Sequence, residues 1–215
     1  MTKSENSFAI FLDGDLTPSP LIQNVVAGRT IIAADGGIRH AQTLNVHPGY
    51  WIGDFDSSDD ALLDAFEYVP RQKYPADKAV SDGEMAIDEA VERGAADIVL
   101  LGALGGDRAD HALFHFTKAI SLAKNGIKVW LTDGQQIATP LTAGNSVQPF
   151  HHDGTIFSIV GFSELEGLTI IDAKWPLNSV KVPFGSTLTL SNLGGKNTVI
   201  TLQKGDAILF SQIKI

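Results

Sequence analysis

The chain has 215 residues, 44% hydrophobic and 19% charged, with a net charge of −9 at pH 7 and no cysteine. This composition fits a packed globular protein and excludes disulfides, zinc–thiolate sites and a thiol nucleophile. It also speaks against nucleic acid or an anionic membrane as partner, since both need a basic face.

A phosphate ligand stays open, because a bound cation inverts the local sign of charge. The opening "MTKSENSFAIFLDGD" lacks the apolar core and cleavage site of a signal peptide, and no apolar run approaches the ~18 residues of a membrane span. A soluble, cytoplasmic protein is the expectation.

In chain order, the short apolar runs at 8–12, 30–34, 50–52, 97–103 and 128–132 read as strands. They are continuous in hydrophobicity, as buried parallel strands are. Helical patterns lie between them at about 37–45, 59–67, 81–93 and 109–124. The alternation predicts an α/β N-terminal domain with a parallel sheet covered by helices. In the helix from 81, Ser81 and Glu84 form a capping box, Ile87, Ala90 and Val91 supply an apolar stripe, and Gly94 marks the stop.

After "DGQQIATPLTAGN" the pattern changes to β-rich runs broken by Gly, Pro, Asn and Asp: "TIFSIVGF", "LTIIDAKW", "STLTLSN", "NTVITL" and "DAILFSQIKI". They predict a C-terminal all-β sandwich or barrel. The domain boundary is set at 138/139, giving an α/β part over 1–138 and a β part over 139–215.

Ligands of parallel α/β sheets bind beyond the carboxyl ends of the strands. Asp35 follows one strand, Asp54 and Asp56 another, the stretch from Gly102 to Asp110 a third, and Asp82 opens a helix. Two carboxylates as close as Asp54 and Asp56 repel unless a cation lies between them. Oxygen ligands of this kind suit Mg²⁺ or Ca²⁺, and Mg²⁺ usually comes with phosphates. Each residue also has a structural reading. Asp82 at a helix start complements the macrodipole, Ser81 is a cap, and Asp59 and Asp60 are first-turn acids.

In "GALGGDRADHALFHF" (102–116), Gly105 and Gly106 after a strand let backbone N–H groups approach a phosphate, and Arg108 is placed to clamp it. The spacing fits neither the Walker pattern nor the dinucleotide fingerprint, so a tight strand–helix turn is the other reading. His111 and His115 are four apart, but two histidines without Glu or Cys partners make a poor zinc site. His115 is read as a solvated or core residue, and His151-His152 as a linker feature.

Six blocks taken in order, "ADGG" (34–37), "GDFDS" (53–57), "DKAVSD" (77–82), "GALGGDRADH" (102–111), "AKWPL" (173–177) and "LSN" (190–192), resemble the thiamine pyrophosphokinase family. The resemblance implies pyrophosphoryl transfer from ATP to the hydroxyl of thiamine with Mg²⁺, giving thiamine diphosphate and AMP. It implies an α/β nucleotide-binding domain followed by a β-sandwich, in a homodimer whose active sites are shared between subunits. Asp54, Asp56 and Asp82 then correspond to the metal-binding and catalytic acids. Asp35, Gly36, Gly37, Ser57, Asp77, Lys78, Ser81, Gly105, Gly106, Arg108, Asp110 and His111 fall to ATP. Trp175, Ser191 and Asn192 correspond to residues that hold thiamine.

The chain departs from the pattern twice. It carries Asp77-Lys78-Ala79 where relatives carry a second acid at the third place, and Asp107 stands between the glycines and the Arg108-Ala109-Asp110-His111 block. Three other readings compete. A haloacid-dehalogenase-like hydrolase also uses an Asp-x-Asp pair, but on its first strand, with Thr or Val following. A glycosyltransferase uses such a pair to hold a metal. A non-catalytic module would bind nucleotide or thiamine diphosphate without turnover.

Overall fold

A computed structural model describes residues 6–55, 60–73, 80–149 and 153–213. The chain divides into two units, one of Met1–Ala112 with Leu131–Gly134, the other of Leu113–Trp130 with Gln135–Ile215.

The first unit is built on parallel strands β1 (Ser7–Phe11), β2 (Thr30–Ala34), β3 (Tyr50–Gly53), β4 (Arg71–Lys73) and β5 (Asp97–Leu101), in the order β5-β1-β2-β3-β4. Every residue of β1 is buried, as are the last four of β2 and of β5. Successive strand residues point to opposite faces, so both faces of these strands are covered, which is why their sequences read as unbroken apolar runs. Phe11 lies beside Ala33 and Leu101, and Ala34 beside Ile52, so β1, β2, β3 and β5 end along one edge.

The helices are α1 (Pro20–Val26), α2 (Arg39–Leu44, preceded by a 3-10 turn over Asp35–Ile38), α3 (Asp60–Ala65), α4 (Asp82–Glu92) and α5 (Ala109–Lys124). At the start of α4 the Ser81 hydroxyl accepts from the Glu84 N–H at 3.2 Å, and Gly94, at φ +82°, turns the chain out of the helix. Ala86, Ile87 and Ala90 form its buried face, while Val91, assigned to the stripe from spacing, is 37% exposed. In the first unit two elements went unread in the sequence: α1, capped by Ser19 and opened by Pro20, and the three-residue β4, too short to show a pattern.

Strand β6 (Lys128–Thr132) ends in the first unit, where the Gly102 N–H donates to the Thr132 carbonyl. The second unit then runs through β7 (Gln136–Thr142), β8 (Ser146–Val147), β9 (Ile156–Gly161), β10 (Leu165–Ala173), β11 (Leu177–Val182), β12 (Asn192–Thr201) and β13 (Asp206–Gln212). Every pairing among these strands is antiparallel, in the order β11-β10-β12-β9-β13-β7, with β8 on β12. β12 changes neighbour along its length. Asn192 and Leu193 pair with β9, whereas Val199, Ile200 and Thr201 pair with β10. Leu141, Phe157, Leu168, Ile170, Ile200 and Leu209, drawn from both ladders, share one buried cluster. Each such side chain contributes about 1.5–3 kcal/mol of burial.

Two β readings need correction. "STLTLSN" is not a strand. The Leu190 N–H turns back to the Thr187 carbonyl, Ser191 sits at φ +58°, and β12 begins only at Asn192. The change of pattern after residue 134 hides a full strand, β7, which contains residue 138.

Candidate active site

The site of the first unit lies beyond the shared strand edge. After β3, Gly53 approaches the Asp35 backbone so closely that a Cβ there would lie 3.3 Å from the Asp35 Cα. Asp35 adopts φ +42°, and its carbonyl accepts from the indole N–H of fully buried Trp51 at 2.9 Å. Asp54 follows, half-buried, and Phe55 at φ +65° packs edge-on against Trp51, their ring centroids 4.9 Å apart. Trp51 therefore pins both acidic turns, with its indole N–H on one and its ring against Phe55 on the other. These unusual backbone conformations persist because the surroundings hold them.

Gly36 and Gly37 are buried in the 3-10 turn. Ser81 spends its hydroxyl on the helix cap, and Asp82 is the half-buried first residue of α4, where a carboxylate is favoured by the helix dipole. Asp56, Ser57, Asp77 and Lys78, together with Ala79, lie outside the described residues. Among the described residues no three His, Asp or Glu side chains gather as a metal-ligand group.

Gly105 and Gly106 are exposed, the latter at φ +105°. Arg108 donates from Nε to Asp110 Oδ1 at 3.0 Å and from an amino nitrogen to Oδ2 at 2.7 Å. This two-point pair holds the Asp110 carboxyl down to about 2 and raises Arg108. The anticipated phosphate clamp is thus presented together with its own carboxylate. His111 is exposed, whereas His115 is 6% exposed, the core one of its two readings.

The turn after β1, Leu12 to Asp15, belongs to the same edge and was not singled out from sequence. Its Gly14 N–H donates to the Gly102 carbonyl. A Cβ on Gly14 would collide with that oxygen and stand 2.5 Å from the Gly105 carbonyl oxygen. Gly102, at φ +71°, leaves room for the Leu12 and Gly14 carbonyls, which would stand 2.6 and 2.8 Å from any Cβ there. Asp13 pairs with Arg39. The available signal was an apolar run ending in Asp-Gly-Asp, the pattern already noticed after β3.

In the second unit Trp175 is 52% exposed, with Lys174 Nζ 4.5 Å from its ring centroid. At that exposure Trp175 is a surface residue and not part of the core. Asn192 is buried, and its side chain is spent on backbone. Its amide donates to the Trp175 carbonyl at 2.8 Å, and its oxygen accepts from the N–H groups of Trp175 and Leu193 at 3.1 and 2.8 Å. Ser191 is exposed, and its N–H donates to Ser158 Oγ at 2.9 Å.

Comparisons with known proteins bear on the family of the chain. Residues 23–131 match the family model described as the thiamin pyrophosphokinase catalytic domain, and residues 145–207 match the model of its vitamin B1 binding domain. A thiamine pyrophosphokinase of Bacillus subtilis is 30% identical over 164 residues, covering 75% of this chain and 76% of that protein. Among solved structures, thiamine pyrophosphokinase from Bacillus subtilis superposes with a TM-score of 0.85 at 25% identity, covering 97% of this chain and 100% of that one. The protein from Geobacillus thermodenitrificans gives 0.79 at 26%, covering 96% and 98%. With both domain models matched in order and a curated relative aligned over three quarters of its length, the chain belongs to the thiamin pyrophosphokinase family.

Proposed function

We propose that this protein is an ATP-dependent thiamine pyrophosphokinase. The thiamine hydroxyl oxygen bonds to the β-phosphorus, the bond from that phosphorus to the α,β-bridging oxygen breaks, and AMP departs with thiamine diphosphate as the other product. The observation that supports this reading is the shared edge of β1, β2, β3 and β5, past which the chain runs into the Asp35 turn, the Asp54 turn and the glycine turn before Arg108. Phosphoryl chemistry of this kind asks mostly for positioning and charge compensation, and the thiamine hydroxyl is itself the nucleophile, so no side chain has to attack.

Asp54, Asp56 and Asp82 are the catalytic acids and would hold Mg²⁺, whose role is to neutralise charge on the transferring phosphates. Their all-carboxylate chemistry fits a hard cation. Asp82 orients the thiamine hydroxyl. ATP is held by Asp35, Gly36, Gly37, Ser57, Asp77, Lys78, Ser81, Gly105, Gly106, Arg108, Asp110 and His111. Thiamine is held by Trp175 and Ser191, with Asn192 fixing the backbone of the former. The nucleotide residues thus all precede residue 138, and the thiamine residues all follow it, in a unit taken as a β-sandwich.

The enzyme works as a cytoplasmic homodimer with active sites shared between subunits. Exposed Ile171, Phe184, Leu188 and Leu190, alongside Trp175 in the second unit, supply the apolar surface that such an assembly would bury. Mixing Asp54→Asn with Trp175→Ala protein should restore activity if sites are shared, because one of two sites is then intact.

Incubation with ATP, Mg²⁺ and thiamine, followed by separation of products, tests the reaction. AMP and thiamine diphosphate in equal amounts are expected. Orthophosphate release would point to the hydrolase, and binding without turnover to the non-catalytic module.

A further inference from the structure

His40 follows the 3-10 turn in α2, and none of the residue types expected to do chemistry in the sequence includes it. Its Nε2 lies 3.0 Å from the Leu12 carbonyl oxygen and 3.0 Å from the Gly14 carbonyl oxygen. Both partners are pure acceptors, so Nε2 carries the proton and donates to both. The ring is half-buried and meets Phe11 edge-on at 6.2 Å between centroids. Burial lowers its pKa, reinforced by neighbouring Arg39 and opposed by the two carbonyls and Asp13.

Nε2 also lies 3.1 Å from where a Cβ on Gly102 would stand. His40, the turn after β1 and the turn after β5 therefore meet at one point. The two carbonyls that His40 draws together flank Asp13, and the second of them belongs to Gly14, whose own N–H is committed to Gly102. Without an N–H donor at this point, both carbonyl oxygens would lose the partner that His40 supplies in a half-buried place.

We infer that His40 is a positioning residue of the nucleotide site: its Nε2–H ties the Leu12 and Gly14 carbonyls and so holds the Asp13–Gly14 turn against the Gly102–Gly106 turn, making one phosphate-facing surface of the two. This rests on the reading of the edge as an ATP site. His40 touches no substrate. It acts on the backbone that does.

The test compares His40→Leu, which keeps bulk and removes the donor, with His40→Gln, which restores an N–H. Binding of a non-hydrolysable ATP analogue is titrated directly, and the KM for thiamine and the melting temperature are read on the same preparations. His40→Leu should weaken the analogue about tenfold with the thiamine KM changed less than about twofold, and His40→Gln should recover most of the loss. An unchanged analogue affinity in His40→Leu overturns the inference, as does a glutamine variant as weak as the leucine one or an equal loss for both substrates.

If His40→Leu does not fold, the glutamine variant and the wild-type imidazole decide the matter. Nitrogen NMR of the wild-type ring, assigned by the signal missing from His40→Gln, should show the Nε2–H tautomer at pH 7, and the Nδ1–H tautomer overturns the inference. Wild-type protein that does not bind the analogue at all overturns the ATP reading itself, whereas wild-type binding with an unaffected leucine variant overturns only the role of His40.

Discussion

The two units hold their candidate residues by opposite means. In the first, the sheet edge itself brings the residues together, and backbone contacts fix them: Trp51 to Asp35, Gly14 to Gly102, His40 to Leu12 and Gly14. In the second, Trp175 projects to solvent, and what is fixed is only its main chain, by the buried Asn192 amide. A parallel sheet makes a site wherever its strands end together, so the site comes with the topology. An antiparallel unit has no such obligatory edge, and a ligand-facing side chain has to be presented on its surface by a dedicated clamp.

The comparison breaks most visibly at Asp54. Asp54→Asn keeps the shape of the turn and removes one of the negative charges that would hold the Mg²⁺ against the phosphates. Turnover should fall about 10²-fold or more, the scale of losing one electrostatic contact to the transition state. The melting temperature should hold, because Trp51 and Phe55 pin the turn independently of the carboxylate. Unchanged turnover would remove Asp54 from the chemistry and leave the edge as a structural feature.

Gly14→Ala probes the backbone side of the same contrast. The added methyl meets two carbonyl oxygens of the neighbouring turn, neither of which can swing away as a side chain would. Overpacking of this kind costs about 1–3 kcal/mol. A lower melting temperature together with a raised KM for ATP is the expected pair of results, and a variant as stable as the parent would show that the two turns do not bear on each other in solution.

Trp175→Ala sharpens the other side. A core tryptophan lost would cost about 3–5 kcal/mol of stability, but at 52% exposure this one should leave the melting temperature nearly where it was. Stacking and cation–π attraction to the thiazolium, about 0.5–2 kcal/mol, translate into a thiamine affinity weaker by roughly 3–30-fold. ATP affinity should be little changed. A stable variant with an unaltered thiamine KM would leave the acceptor site unassigned.

Legibility in the sequence follows the same division. Strands β1, β2, β3, β5 and β6 announce themselves because burial on both faces demands unbroken apolar residues, and the acids after β2 and β3 inherit their place from those strands. α4 is legible in its cap and its stop, since Ser81, Glu84 and Gly94 each answer a local backbone need. β7 was missed because Thr139, Pro140 and Thr142 break up the apolar run of a largely buried strand, and β11 because a partly exposed antiparallel strand needs few apolar residues and the polar run around Ser179 hides them. The turn after β1 and the bridging role of His40 leave almost no trace in sequence, because both depend on contacts between residues far apart in the chain. Asn192 shows a similar limit. Its type suggests ligand binding, and only the fold reveals that its amide is spent on the Trp175 backbone.

The smallest expected effects lie in the turn before α5, where the pairing of Arg108 with Asp110 admits two outcomes. The carboxylate either holds the guanidinium in position for a phosphate or competes with that phosphate for it. Both side chains are about two-thirds exposed, at 64% and 65%, so the pair itself adds little stability. What it adds is orientation, since both oxygens grip the planar fork. Because the Arg108 hydrogen bond lowers the Asp110 carboxyl from 3.8 to about 2, the pair is intact at neutral pH and opens only as the pH falls through about 2. ATP binding measured from pH 5 upward therefore never sees it open. Arg108→Ala should raise the KM for ATP about three- to tenfold, and Asp107→Ala should stay within about twofold, since Asp107 precedes the grip rather than forming it. Asp110→Asn decides between the outcomes. Loss of the grip should raise the ATP KM in the same direction as Arg108→Ala, and the double variant should be no worse than Arg108→Ala alone. A tighter KM in Asp110→Asn would instead make Asp110 a competitor of the phosphate, and an Asp107→Ala effect larger than that of Arg108→Ala would move the phosphate turn one residue towards the glycines.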